Sequence, residues 1–185
     1  MSTIITSSHA MNQHHSEIWK YAVITIGDIK YDTENIGFVL NQAVANINHN
    51  QISQLYDLKH TLPKCQIYCG GPVATDKCTF LHSTEYSNSN TQHFNNQCSI
   101  SFNDQIVADI NAGKGPKYWK VMLGLSQWQP GQLDAEIMRP GGWSEHSWSN
   151  YAWGNYKRKT KMWERIMTTQ SNQQAKMFLK SVFGK

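Results

Sequence analysis

Residues 119–138 read WKVMLGLSQWQPGQLDAEIM. The run over 119–125 is almost continuously apolar and short, which reads as a buried strand. Pro130-Gly131 then opens a short helix, since proline has no N–H to lose in a first turn. Within Gln132–Met138, Leu133 and Ile137 lie one turn apart and face inward. Pro140, Gly141 and Gly142 stop it. Asp134 and Glu136 fall on different faces, which argues against a paired acid and base. The free N–H groups at the helix start can hold an anion or a carboxylate, with Trp128 as an apolar wall beside them. Equally, the turn can serve only to pack Trp128 into the core.

Upstream, β-rich runs dominate. Residues 3–6 and 19–26 read as strands, and residues 36–40 (IGFVL) as a central one. Turn residues at Gly27-Asp28 and over 32–35 join the last two as a hairpin. Short strands follow at 65–69, 79–81 and 99–102, with a polar loop or weak strand over 84–97. The spacing of Ile52, Leu55, Tyr56 and Lys59 predicts a helix over 51–59. Asn103 N-caps a helix over 104–112, with Ile106, Val107 and Ile110 on one face and Gly113 at its stop. Residues 148–155 read as a strand and 160–170 as a helix, with Trp163, Ile166 and Met167 inward. The capping-box spacing of Ser171 and Gln174 announces a separate last helix over 172–183, its apolar stripe being Ala175, Phe178, Leu179 and Val182. Strands and helices mix without regular βα alternation. The expected fold is α+β, a single compact domain over 1–185 around a mixed or mostly antiparallel sheet.

At 185 residues and 39% hydrophobic, the chain can bury one core. Its 15 Asn and 14 Gln are scattered, so they read as polar surface and loops. The net charge of +4 is uneven: residues 1–113 carry −4 and residues 114–185 carry +8. A basic C-terminal third suits an anionic partner such as nucleic acid, and equally a solvated helical face. The nucleic-acid candidates are Lys114, Lys117, Lys120, Lys157, Arg158, Lys159, Lys161 and Arg165, with Tyr118, Trp153 and Tyr156 interleaved. No helix-turn-helix, zinc-finger or RNA-binding signature accompanies them. There is no basic-then-apolar leader and no run of about 18 apolar residues, so a cytoplasmic protein with no membrane span and reduced thiols is expected.

Residues 68–83 read YCGGPVATDKCTFLHS. As a phosphate loop, Gly70-Gly71 lacks a following helix, Pro72 lacks an N–H, and no Lys-Ser/Thr ending is present. As a metal site, Cys65, Cys69, Cys78 and His82 fail on spacing: two cysteines four apart on an extended run stand about 13 Å apart, too far for one tetrahedral ion. As a hydrolase pair, Ser7, Ser8 or Cys78 with His82 has no nucleophile-elbow motif around it. The plain alternative is a tight turn.

Together the two stretches carry a resemblance. G-G-P-V-x-x-D-K followed by L-H, then L-G-x-x-x-W-x-P-G-Q-L-x-x-E-I, resembles the AlgH/YqgE family, and the similarity extends over most of the chain. Residues 36–41 look like that family's strand ending in asparagine, and Trp143 falls where it has a tryptophan after the helix. The chain departs from the pattern over 12–18, at Gln42-Ala43 and at Gln129, as a divergent member would. The resemblance implies one α+β domain with a central or barrel-like sheet. The family carries the label of transcriptional regulator, so the resemblance also implies that role, with no established enzymatic activity and no universal cofactor.

The expected function is a non-enzymatic regulatory or binding protein acting through a protein or small-ligand partner, without cofactor or metal. Its candidate surface joins Gly70, Gly71, Pro72, Asp76 and His82 to Trp128, Gly131 and Gln132. There the glycines would admit a partner's backbone, His82 would hydrogen-bond it, and Trp128 would stack on it. Direct nucleic-acid binding through the basic end and an uncharacterised hydrolase or metal-dependent enzyme are the alternatives.

Overall fold

Neighbouring apolar residues in the strands face opposite ways. Ile4 and Ile5, Val23 and Ile24, Phe38 and Val39, Phe80 and Leu81, and Val121 and Met122 are all buried, each pair divided between two clusters on opposite faces. A sheet covered on both faces needs such continuous runs. The computed structural model describes all residues except 1–3, 15–16, 32–33, 103, 157 and 184–185.

The chain runs β1 (Ile4–Ser7), α1 (Met11–His14), β2 (Val23–Tyr31), β3 (Glu34–Val39), α2 (His49–Leu55), β4 (Ile67–Cys69) and β5 (Val73–Ser83). It continues with β6 (Thr91–Asn95), β7 (Cys98–Ser101), α3 (Gln105–Asn111), β8 (Trp119–Trp128), α4 (Gln132–Met138) and β9 (Trp143–His146). One 3-10 turn, Asn150–Trp153, precedes α5 (Lys159–Phe183). Among the described residues the strands form one sheet in the order β6-β7-β5-β8-β3-β2-β1-β9, with antiparallel neighbours, and β4 joins β8 in parallel. The architecture is α+β with a mostly antiparallel sheet, as the mixed element order implied.

The sheet curls into a half-barrel. Phe94 of β6 meets Phe38 of β3, ring centroids 5.1 Å apart, and Asn95 donates to Thr25 Oγ1 at 3.0 Å and to the Ile26 carbonyl at 2.8 Å on β2. The concave side holds Val23, Phe38, Leu81, Phe94 and Met122, and α5 closes it with Met162, Trp163 and Ile166. The convex side carries two caps. Helix α4 covers Ile5, Ile24 and Val39 through Leu133, and α3 covers Phe80 and Val121 through Ile106 and Val107. Asn41 ties the layers: its Oδ1 accepts from Val23 N, while its Nδ2 donates to the carbonyls of Tyr21 and Lys159.

The Gly-Gly-Pro stretch carries the chain across β8. β4 pairs with β8 over Val121–Leu123 on one edge, and β5 pairs with it on the other. To change edges, the backbone passes over β8 at Gly70 and Gly71. A Cβ on Gly71 would stand 2.2 Å from the Leu125 carbonyl carbon, and one on Gly124 would stand 2.6 Å from the Gly71 oxygen. Only glycine lets two backbones approach that closely.

Several expected elements differ. Gly27-Asp28 lies inside β2, where the register with β3 shifts, because an irregular strand tolerates the same residues as a turn. β2 begins at Val23 rather than residue 19, since the chain is still turning at Tyr21 (φ 53°). The expected strand at 79–81 is part of the 11-residue β5. In α2 only Ile52 is buried and Leu55 is 69% exposed; the helix starts earlier, capped by a reciprocal Asn48–Gln51 pair. The expected strand over 148–155 is a 3-10 turn, and the strand lies before it in β9. The two expected C-terminal helices are one. Ser171 does not cap; its hydroxyl donates to the Met167 carbonyl one turn back, an alternative open to any mid-helix serine. Ala175 and Phe178 are exposed rather than packed, while the side chains of Leu179 and Val182 lie outside those described. Asn103, the expected cap of α3, is also outside the described residues.

Candidate functional site

At the convex face, the end of β8, the start of α4 and the start of β9 enclose a cleft of about 210 Å³. β8 delivers Trp128. A turn at 129–131 with Gly131 at φ 76° starts α4, and Trp143 opens β9. Met11 of α1, Trp19 and Pro72 complete the apolar walls, and Gln127, Gln132, Glu136 and Arg139 supply the polar ones. Trp143 is at the centre of the aromatic wall. It packs edge to face with Trp19 at 5.9 Å and 85°, and with Trp128 at 6.5 Å and 84°.

Glu136 organises the site. Its Oε2 accepts the indole N–H of Trp128 at 3.0 Å and of Trp143 at 2.8 Å, and its Oε1 accepts from Gln132 Nε2 at 2.8 Å. Gln132 in turn accepts from the backbone N–H of Gln129 at 3.0 Å. The side chain of Gln129 reaches Glu34, donating at 2.8 Å, and Gln127 donates to the same carboxylate. A helical i, i+4 step thus aims Gln132 and Glu136 together at the indoles, while Asp134 stays exposed.

Of the residues expected to converge, Pro72, Trp128 and Gln132 do so. Gly70 and Gly71 are buried against β8, so the backbone they admit is the chain's own. Gly131 is exposed at the cleft's helix start. His82 is fully buried elsewhere, with Nδ1 on the Ser83 carbonyl and Nε2 on Ser101 Oγ, both 3.0 Å. Burial holds its pKa below the ordinary histidine value. Asp76 lies exposed beside Lys77 on another groove, near Cys78 and Phe102. Sequence reasoning did not place Trp19, Glu136 or Arg139 in a site. The available signal was the Gln132–Glu136 turn between Trp128 and Trp143.

The residues weighed for hydrolysis do not assemble around His82. Ser7 donates to Asn12, and Ser8 donates to the Gly141 carbonyl. Burial pushes the Cys78 thiol up to about 12 and that of Cys65 up to about 11, away from the thiolate a nucleophile needs. Among the described residues, no three His, Cys, Asp or Glu side chains gather as a metal-binding group.

The basic residues differ in burial and in partners. Lys120 is 2% exposed, its Nζ donating to the Gly154 carbonyl at 3.1 Å and lying 4.0 Å from the Tyr68 ring centre. Burial pulls its pKa down to about 7. Lys159 is tied to the carbonyls of Glu17 and Ile18 and pulled down to about 8 by burial. Lys161 pairs with Glu164 at 2.9 Å, and Arg165 lies over the Tyr151 ring. Lys117 lies over Tyr118 at 5.2 Å, beside the stacked Tyr118–Trp153 pair. Lys114 and Arg158 are exposed, and Lys157 lies outside the described residues. Among the described residues, no helix is long and apolar enough to cross a membrane.

A family model described as AlgH-like matches residues 7–175. A UPF0301 protein of Rickettsia africae is 38% identical over 103 residues, 55% of this chain and 54% of that protein. The chain therefore spans about half the length of the first curated relatives it matches. A UPF0301 protein of Rickettsia felis is 33% identical over 142 residues, 73% of this chain and 70% of that protein. Among solved structures, the AlgH protein from Pseudomonas aeruginosa superposes with a TM-score of 0.67 at 19% identity, covering 87% of this chain and 84% of that one. Protein DIP2367 from Corynebacterium diphtheriae gives 0.66 at 16% identity, covering 90% and 85%. At these identities the two structures establish a shared fold.

Proposed function

The chain belongs to the AlgH-like family, and we propose that within this fold it acts as a cytosolic binding protein whose recognition site is the tryptophan-walled cleft. The observation that carries the reading is the geometry around Glu136, where three indoles border an open cleft and one carboxylate holds two of them in place. Trp163, by contrast, donates to the Ser7 carbonyl and is packed into the core. A concave site with apolar walls and a few convergent polar groups is the usual form of a small-ligand site. A regulatory output, as expected from the sequence resemblance, would follow from occupancy of this cleft. Burial of Lys120 and the backbone bonds of Lys159 remove two of the basic candidates from the nucleic-acid alternative.

The test is thermal unfolding of the purified chain with small-molecule fractions of a bacterial extract, set beside a Gln132→Trp variant that fills the cleft from an exposed position. A fraction that raises the midpoint of the parent chain but not of the variant supports the reading. Equal shifts in both, or none in either, overturn it.

A further inference from the structure

Resting on that reading, we infer that the cleft takes a small zwitterion, with an alkylated ammonium seated against the indoles beside Glu136 and a carboxylate or phosphate held at Arg139. Trp143 stands nearly perpendicular to both Trp19 and Trp128. In this arrangement Trp128 and Trp143 are nearly buried, so the half-buried ring of Trp19 is the one with surface to offer an alkylated cation. The thioether of Met11 and the ring of Pro72 extend the same apolar lining.

Charge selects among the ligands such walls could accept. The indole N–H groups of Trp128 and Trp143 are both spent on Glu136 Oε2. These two rings therefore offer an incoming group no hydrogen-bond donor, and the charge beside them is negative. An anion placed there would find a carboxylate and no free indole donor. A neutral apolar group would strip water from that carboxylate without replacing its interactions. A cation gains from both the Trp19 ring and the carboxylate.

Arg139 supplies the opposite pole. It lines the same cleft, is exposed, and makes no ion pair at salt-bridge distance among the described residues. A guanidinium at the mouth matches a carboxylate or phosphate in two parallel hydrogen bonds. At about 210 Å³ the space suits a metabolite rather than a drug-sized molecule.

The experiment titrates the full chain with glycine betaine, following tryptophan fluorescence and heat. Its isostere 3,3-dimethylbutanoate keeps the shape and the carboxylate but replaces the ammonium by neutral carbon. Betaine is expected to bind saturably and about tenfold more tightly than the isostere. Arg139→Gln, a change at an exposed position, should weaken betaine several-fold while leaving tetramethylammonium unchanged, and Glu136→Gln should weaken both. Phosphatidylcholine vesicles carry the same charges on a lipid. Cosedimentation lost in Glu136→Gln would assign this chemistry to a headgroup, whereas betaine binding without cosedimentation assigns it to a free metabolite. Equal binding of the isostere, or no saturable binding in any arm, overturns the inference. If extract fractions still give the cleft-dependent shift described above, the ligand class alone falls. If they do not, the cleft reading falls with it.

Discussion

Trp128 and Trp143 donate their indole protons to one and the same oxygen of Glu136. Both rings are nearly buried, at 4% and 6% exposure, so neither proton has ready access to water. Glu136→Ala orphans two buried donors and should cost about 2–4 kcal/mol of folding stability, since each such donor costs on the order of 1–3 kcal/mol. Glu136→Gln keeps an acceptor without its charge and should cost about 1–2 kcal/mol, because charge-assisted bonds are roughly twice as strong as neutral ones. Urea unfolding of the two variants checks the order; equal losses would show that the indoles do not depend on the carboxylate.

The glycines of the two motifs differ in what surrounds them, and single alanines should show it. At Gly71 the new Cβ would meet β8 backbone at 2.2 Å, so Gly71→Ala should lose about 3 kcal/mol or more, or fail to fold. At Gly131, φ is 76° but nothing lies within 4 Å, so Gly131→Ala should cost only about 1–2 kcal/mol from backbone conformation. Expression and chemical denaturation of both variants distinguish steric exclusion from dihedral preference.

Lys120 predicts a pH dependence of stability. Its folded pKa, about 7, lies below its ordinary value of 10.5, so the unfolded chain binds the proton more readily. Its contribution is least favourable below pH 7 and improves as the pH rises through the window from 7 to 10.5. Its surroundings hold the Tyr68 phenol, itself pushed up to about 12 by burial, and the Gly154 carbonyl, with no carboxylate bonded to the ammonium among the described residues. Lys120→Met should therefore be more stable than the parent at pH 6, by on the order of 1–4 kcal/mol, and the advantage should shrink toward pH 10. Burial also lowers the pKa of His82 and His146. Their stabilisation is complete above about 6.5 and lost as the pH falls, so they add an acid limb that the Lys120 variant retains.

Helix α5 is held by its first half. Trp163 is 5% exposed and bonded to the Ser7 carbonyl at 2.7 Å, whereas Phe178 is 65% exposed. Trp163→Ala should cost about 3–5 kcal/mol, and Phe178→Ala within about 0.5 kcal/mol. A large loss from the second variant, measured by thermal unfolding, would mean that a partner or a second copy covers that end.

Local chemistry alone determined much of this protein. The turn at Pro130-Gly131, the helix Gln132–Met138 with Leu133 inward, the central strand IGFVL and the stop at Gly113 all rest on interactions within a few residues, which a sequence displays directly. The α+β class followed from counting such segments, and the family from the order of two glycine-bearing motifs. Tertiary structure decided what those motifs are for. Gly70 and Gly71 serve a backbone crossing because Gly124 lies opposite them, 53 residues away from Gly71. His82 is a core residue because β7 brings Ser101 to its ring. Lys120, one of a row of basic residues in sequence, is buried because alternation along β8 turns it to the concave side. The cleft draws Trp19, Pro72, Trp128, Glu136 and Trp143 from five separate parts of the chain. Contacts of that range are set by how the sheet curls, which depends on the packing of both faces at once and on no single stretch of sequence.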